Sequence, residues 1–280
     1  MASTTDLRAQ EAPRTLGRYQ LIKRIAIGGM AEIWVGKSTG PSGFQKVVVL
    51  KRILPSLVDR PEFVGMFLDE ARIAAALSHA NIVQVYDCEV EGGEYFIPME
   101  YLHGEDVARM LRELKRRGER MPLEHALHIV TGVAAGLHYA HEKVGYDGQP
   151  MSIVHRDVTP HNVFVTYDGG VKIVDFGIAK ASNRWNHTQA RVLKGKIPYM
   201  SPEQCRAEVL DRRSDVFALG ILLYELTTGT RLFRGRSEFE ILKRIVEEPV
   251  PRPSASVPRM LTAPALTRLI PLNVLLIVTD

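Results

Sequence analysis

The sequence predicts an α+β chain in two lobes, the first an antiparallel sheet with one helix and the second mainly helical. Three observations predict it. Three β-branched runs separated by turn residues fill the stretch from Tyr19 to Ile53, an amphipathic segment and a second pair of strand-like runs follow, and from about residue 103 the apolar spacing changes to a helical period.

The first runs are YQLIKRIAI (19–27), EIWVGKS (32–38) and KVVVLKRI (46–53), and the turn GPSG at 40–43 makes them an antiparallel meander. PEFVGMFLDEARIAAALSH (61–79) puts Phe63, Met66, Phe67, Ile73, Ala74 and Leu77 at helical spacing, with Pro61 suited to a first turn. IVQVYDCEV and EYFIPMEYL then predict a hairpin around Gly92 and Gly93, and HALHIVTGVAAGLHYAHE (125–142) is the clearest later helix. The expected organisation is a disordered tail over 1–16, a domain over 17–257 with lobes at 17–102 and 103–257, and a C-terminal tail over 258–280.

With 280 residues, 45% hydrophobic and 24% charged, the chain can bury a sizeable core. Cys88 and Cys205 stand far apart without metal-ligand spacing, which excludes a disulfide framework or zinc site and fits a reducing compartment. The polar N-terminus lacks a secretory apolar stretch, and LIPLNVLLIV at 269–278 is too short to span a bilayer, so a cytoplasmic protein is expected. A net charge of +4 without a recognition motif predicts no nucleic-acid partner.

Glu70 falls on the apolar face of its helix, and a buried carboxylate needs a partner; Lys51, ending the run VVVL, is the candidate. Further on, HRDVTPHN (155–162) lies between apolar runs and is followed by VFVTYDGGVKIVDFG. A turn at Tyr167–Gly170 would bring Asp157 and Asn162 close to Asp175. Two acids and an amide oxygen so grouped suit Mg²⁺ and a transferring phosphate.

Lys51, Glu70, HRD with Asn162, DFG at 175–177, SPEQ at 201–204 and SDVFALG at 214–220 stand in the order of the protein kinases. From about Tyr19 to Pro253 the chain resembles a bacterial Hanks-type serine/threonine protein kinase. The resemblance implies a bilobed kinase-like fold, ATP as phosphoryl donor, Mg²⁺, and protein substrates with Ser/Thr acceptors. It implies that Lys51, paired with Glu70, holds the α- and β-phosphates, that Asn162 and Asp175 hold magnesium, and that Asp157 takes or orients the substrate hydroxyl's proton. It further implies a hairpin over the phosphates at Ile25, Ala26, Ile27, Gly28 and Gly29, adenine between Ile33 and Val49 on one side and Phe164 on the other, the backbone of Glu100 and Leu102 along its edge, and Met99 behind. Asp215 would anchor the catalytic loop from a buried helix.

Three departures from the family pattern, together with the arginine of its HRD motif, shape the expectations. IAIGGMAEI has Ala26 and Ala31 at the outer glycine positions of GxGxxG; a rival P-loop reading of Gly29 with GKS at 36–38 fails because the spacing is too long and strand-like. Thr159 stands where the family has lysine and Lys196 where it has threonine, and since these positions meet beside the catalytic aspartate, Lys196 is expected to supply the cation and Thr159 the hydroxyl. Arg156, beside Asp157, favours control by phosphorylation between DFG and SPE, with Thr188 preferred over Ser182; Lys180, Arg184, Arg191 and Lys194 there are read as a solvated loop. Finally, the arginine that would pair with Glu203 is not found after PVPRPSASVPRM, so a truncated C-terminal lobe is expected, its tail partly covering exposed helix faces. The alternative to an active kinase is a pseudokinase serving as a nucleotide-binding or scaffolding module, and tyrosine specificity is a lesser rival.

Overall fold

The computed structural model describes residues 14–176 and 195–253. It divides into two compact units: residues up to Val64 with Tyr86–Tyr101, and Gly65–Val85 with the residues from Leu102 onward.

The first unit is a six-stranded antiparallel sheet. Its strands are β1 (Thr15–Leu16), β2 (Tyr19–Ile27), β3 (Ala31–Thr39), β4 (Gln45–Ile53), β5 (Glu89–Glu91) and β6 (Glu94–Glu100), in the order β1-β2-β3-β4-β6-β5. The meander forms where alternating β-branched residues predict it. Leu16, Tyr19, Leu21, Val48, Leu50 and Phe96 make its core, with the Tyr19 ring edge-on to Phe96 at 6.0 Å between centroids. The tail expected over 1–16 reaches too far, because Leu16 pairs with Tyr19 and is 3% exposed. Its apolar side chain completes the sheet's core, a gain that a two-residue strand does not announce locally.

Helix α1 (Pro61–Ala75) buries Met66, Phe67, Glu70 and Ala71, as its spacing predicts. It stops short of the expected His79. The run IVQVYDCEV forms a strand only at its end, since Val83 N–H donates to Ile173 O at 2.9 Å and Ile82 bridges Ile173 in parallel. Ile82–Val85 is therefore a strap of the second unit, which satisfies its backbone there.

In the second unit β7 (Gly104–Asp106), β8 (Val163–Thr166) and β9 (Val171–Ile173) form a small antiparallel sheet. β7 lies where helix was expected, and Gly104 explains it: a Cβ there would sit 2.2 Å from Val165 O, so only glycine permits this pairing. The helices are α2 (Val107–Arg117), α3 (Leu123–His141), α4 (Pro202–Cys205), α5 (Arg212–Thr228) and α6 (Glu238–Glu247). Asp106 caps α2 by accepting from Arg109 N–H at 2.8 Å, and Gly118 ends it at φ 70°. Asp211 caps α5 in the same way, accepting from Arg213 N–H. α3 and α5 bury their apolar faces with β8 and β9 around Ile129, Val133, Leu137, Val163, Ile173 and Leu222. Each fully buried side chain of this kind contributes about 1.5–3 kcal/mol, so this core is the rigid platform for the loops beside it.

Candidate active site

The hairpin predicted from VFVTYDGGVKI forms, with Val163 opposite Ile173. Asn162 precedes its first strand and Asp175 follows its second, and Val174 N–H donates to Asn162 O at 2.9 Å. The sheet register thus brings together residues thirteen apart in sequence. Asp157 joins them through Asn162, whose Nδ2 donates to both Asp157 O and Asp157 Oδ2 at 2.8 Å. Because the amide NH₂ serves Asp157, the amide oxygen Oδ1 is the end of Asn162 left to act as a ligand.

Lys196 reaches the same carboxylate: its Nζ donates to Asp157 Oδ2 at 2.6 Å. Asp157 is 7% exposed, so this ion pair is little screened. Thr159 is 2% exposed, and among the described residues its Oγ1 has no hydrogen-bond partner.

The loop that carries Asp157 is gripped from below. Asp215, 1% exposed on α5, accepts from His155 N–H on Oδ2 and Arg156 N–H on Oδ1, both at 2.8 Å, and its Oδ2 lies 2.8 Å from His141 Nε2. Asp157 N–H donates to His155 Nδ1 at 3.2 Å. That bond makes Nδ1 an acceptor and puts the ring proton on Nε2, which faces Val174 O at 3.2 Å. Arg156 (φ 66°) and Asp175 (φ 57°) both hold left-handed backbone, costing about 1–3 kcal/mol each. The bonds to Asp215, His155 and Asn162 sustain that strain and keep the acids in place.

Arg156 Nε is buried without a hydrogen-bond partner among the described residues. Ser182, Thr188, Gly177 and the basic residues 180, 184, 191 and 194 lie outside the described residues, as does the tail after Pro253. Glu203 does have a partner, accepting from Ser214 Oγ. The segment in which the family's arginine was sought lies outside the described residues.

Nearby, Tyr199 Oη donates to Glu225 Oε2 at 2.6 Å. Burial pushes the Tyr199 phenol and the Glu225 carboxyl up from their ordinary values. Sequence reasoning did not single out this pair; a tyrosine three residues after Lys196 is its only local signal.

In the β unit, one sheet face gathers several predicted residues. Ile33 lies opposite Lys51, Val49 opposite Met99, and Ala26 opposite Ile33 in the strand registers, so Ala26, Ile33, Val49, Lys51 and Met99 point to one side. The hairpin from β2 to β3 is closed by Gly28 N–H donating to Ala31 O at 2.7 Å. No residue from 26 to 31 has a positive φ, which is why alanine serves at both outer glycine positions. Ile25 and Ile27 are 52% and 60% exposed. Glu100 ends β6 opposite Val48. Leu102 and Phe164 belong to the helical unit and are half-buried, and Glu70 is buried there on α1, while Lys51 belongs to the β unit.

Among the described residues no group of three His, Cys, Asp or Glu side chains could hold a metal, and no helix is long and apolar enough to cross a membrane. Asn162 with Asp175 still suits Mg²⁺, which takes one or two protein oxygens and completes its shell with phosphate and water.

Comparison with known proteins agrees with this arrangement. The family described as "Protein kinase domain" matches residues 19–264, past the boundary expected at 257. The chain is 47% identical over 231 residues to a protein of Myxococcus xanthus named tyrosine-protein kinase MasK, covering 82% of this chain and 36% of that one. It is 33% identical over 249 residues to the serine/threonine-protein kinase PrkC of Bacillus subtilis, covering 88% and 36%. It therefore spans about a third of the length of these curated relatives. The crystal structure of the Mycobacterium tuberculosis PknI kinase domain, solved as a point mutant, aligns with a TM-score of 0.63 at 26% identity, over 89% of this chain and 85% of that one. With the family match, the order of its motifs and the α+β architecture in agreement, this chain belongs to the protein kinase family, in its bacterial, eukaryotic-like branch.

Proposed function

We propose that the chain is a protein kinase domain, spanning about 17–257, that transfers the γ-phosphoryl group of ATP to serine or threonine hydroxyls of protein substrates. One observation carries this reading: a buried Asp157 whose carboxylate oxygen Oδ2 accepts from both Asn162 Nδ2 and Lys196 Nζ. Such a carboxylate is oriented to receive a proton from an incoming hydroxyl. The acceptor oxygen bonds to the γ-phosphorus, the bond to the β–γ bridging oxygen breaks, and the hydroxyl proton passes to Asp157.

Lys196 takes the part of the family's catalytic-loop lysine, placing a cation beside the transferred group, and Thr159 takes the part of the threonine. Asn162 and Asp175 hold Mg²⁺, which when bound neutralises charge on the phosphate oxygens. In the β unit, Lys51 and the hairpin at Ile25–Gly29 bind the phosphates, and Ile33, Val49, Met99 and Glu100 receive the adenine. Thr188 is the site of autophosphorylation, with Arg156 receiving the phosphate.

A second reading is favoured by two observations together: the relative at 47% identity is named a tyrosine kinase, and Thr159 replaces the lysine typical of the serine/threonine enzymes. The relatives described above are all kinases by name, which lends no support to a pseudokinase. Purified chain incubated with labelled ATP and Mg²⁺, with Asp157→Asn as control, followed by phosphoamino-acid separation, tests both. Phosphoserine or phosphothreonine supports the first reading, phosphotyrosine alone the second, and label that persists in Asp157→Asn neither.

A further inference from the structure

The sheet face opposite Lys51 carries a row of charges that the chemistry above does not use. Glu32 lies directly across from Arg52 in the β3/β4 register, and the two are 5% and 2% exposed. Arg52 Nη1 lies 3.2 Å from Glu32 Oε1, and its Nη2 donates to Glu94 on β6. Glu32 Oε2 accepts from Arg24 Nη1 on β2 at 3.2 Å. Four strands are tied by one row of alternating charge.

Stability alone is a poor reason for such a row, because well-packed apolar residues often serve as well as buried ions. Its place in the sheet suggests another. Glu32 directly follows Ala31, whose carbonyl closes the hairpin, and Arg52 directly follows Lys51. The same edge is sewn by Leu54 N–H donating to Met30 O at 2.9 Å. Any slip of β3 along β4 would displace the hairpin relative to the Lys51 ammonium.

We propose that the row Arg24, Glu32, Arg52 and Glu94 is a positioning device that keeps the β2–β3 hairpin in register with Lys51, so that both meet the phosphates of the nucleotide together. It rests on the kinase reading above. Its residues touch no nucleotide; they act through the hairpin and Lys51. The specific consequence is that the row serves the phosphates and not the adenine.

The test measures binding of Mg·ATP and of adenosine to the full chain by calorimetry, with KM for ATP and kcat in parallel, for the parent, Arg52→Met, Arg52→Lys and Glu32→Gln. Arg52→Met should weaken Mg·ATP by about tenfold, or 1.4 kcal/mol, leave adenosine affinity unchanged, and raise KM for ATP while the protein substrate's KM holds. Arg52→Lys, which keeps the charge without the fork, should recover part of the loss. A merely structural role would lower the active fraction and hence the apparent kcat, leaving KM for ATP where it was. Should Arg52→Met fail to fold, Glu32→Gln, in which Arg52 keeps Glu94, carries the same comparison. Equal weakening of ATP and adenosine, or parent-like ATP affinity in the folded variants, overturns the proposal. A parent that binds no Mg·ATP overturns the kinase reading itself, and the row's role with it.

Discussion

Lys196 Nζ lies 2.6 Å from Asp157 Oδ2, joining residues 39 apart in sequence. The contact places a cation beside the proposed base although the loop of that base lacks the usual lysine. Lys196→Ala should lower kcat by about 10²–10³-fold, the range for losing one preorganised donor to developing charge. Adding Thr159→Lys should restore part of that rate, because the second substitution returns the cation from the other side. Single-turnover rates with saturating ATP check both, and parent-like turnover by Lys196→Ala would refute the exchange.

Asp157→Asn keeps the size of the side chain but cannot take a proton. Its kcat should fall by about 10²–10⁴-fold, the contribution of a positioned base, with nucleotide affinity close to that of the parent. Fluorescence titration beside the rate measurement separates the two.

Asp215 accepts two backbone N–H groups, from His155 and Arg156. Asp215→Ala leaves both donors buried and unpaired, at about 1–3 kcal/mol each. It also releases the strained Arg156 backbone. Urea unfolding should show the loss of stability, and activity should fall even where the protein remains folded.

Glu225 gives a pH-dependent prediction. Burial raises its carboxyl pKa above the ordinary value of 4.5, so the folded state holds this proton more tightly than the unfolded state. Its contribution to stability is full below about pH 4.5 and is lost as pH rises through the raised value. Glu225→Gln keeps an oxygen for Tyr199 without the charge, so the variant should gain in melting temperature over the parent as pH rises from about 4 to about 8. A constant difference across that range would show that Glu225 does not titrate there.

Chelation of divalent cations should abolish phosphoryl transfer, and Asn162→Ala should raise the Mg²⁺ concentration needed for half-maximal rate by about tenfold or more. The same variant loses two bonds to Asp157, so its rate at saturating Mg²⁺ should also fall. A magnesium titration of initial rates reads both effects.

Much of this was legible in the chain. The burial of Glu70 followed from its helical neighbours, and the hairpin that joins Asn162 to Asp175 followed from two short apolar runs around a turn. The exchange of Thr159 and Lys196 was visible as residue types out of their usual places. Less legible were β1 and β7, which are short and carry no alternation to speak of, and the strap at 82–85, whose apolar run reads as a strand but bonds elsewhere. The row through Glu32 and Arg52 was hidden because its four residues come one from each of four strands, and only the sheet's register sets them side by side.

The amino-acid sequence by itself determined the longer strands and helices and which residue types stand at each motif, because backbone preference and side-chain direction are set within a few residues; β1, β7 and the strap at 82–85 took their form from tertiary pairing. Only the tertiary structure decided which charges share a partner: Lys196 on Asp157, Asp215 under His155 and Arg156, Ser214 on Glu203, Arg52 between Glu32 and Glu94. Those pairings join positions from 11 to 60 residues apart. They depend on strand register and helix packing, and desolvation in the folded interior is what makes each of them matter.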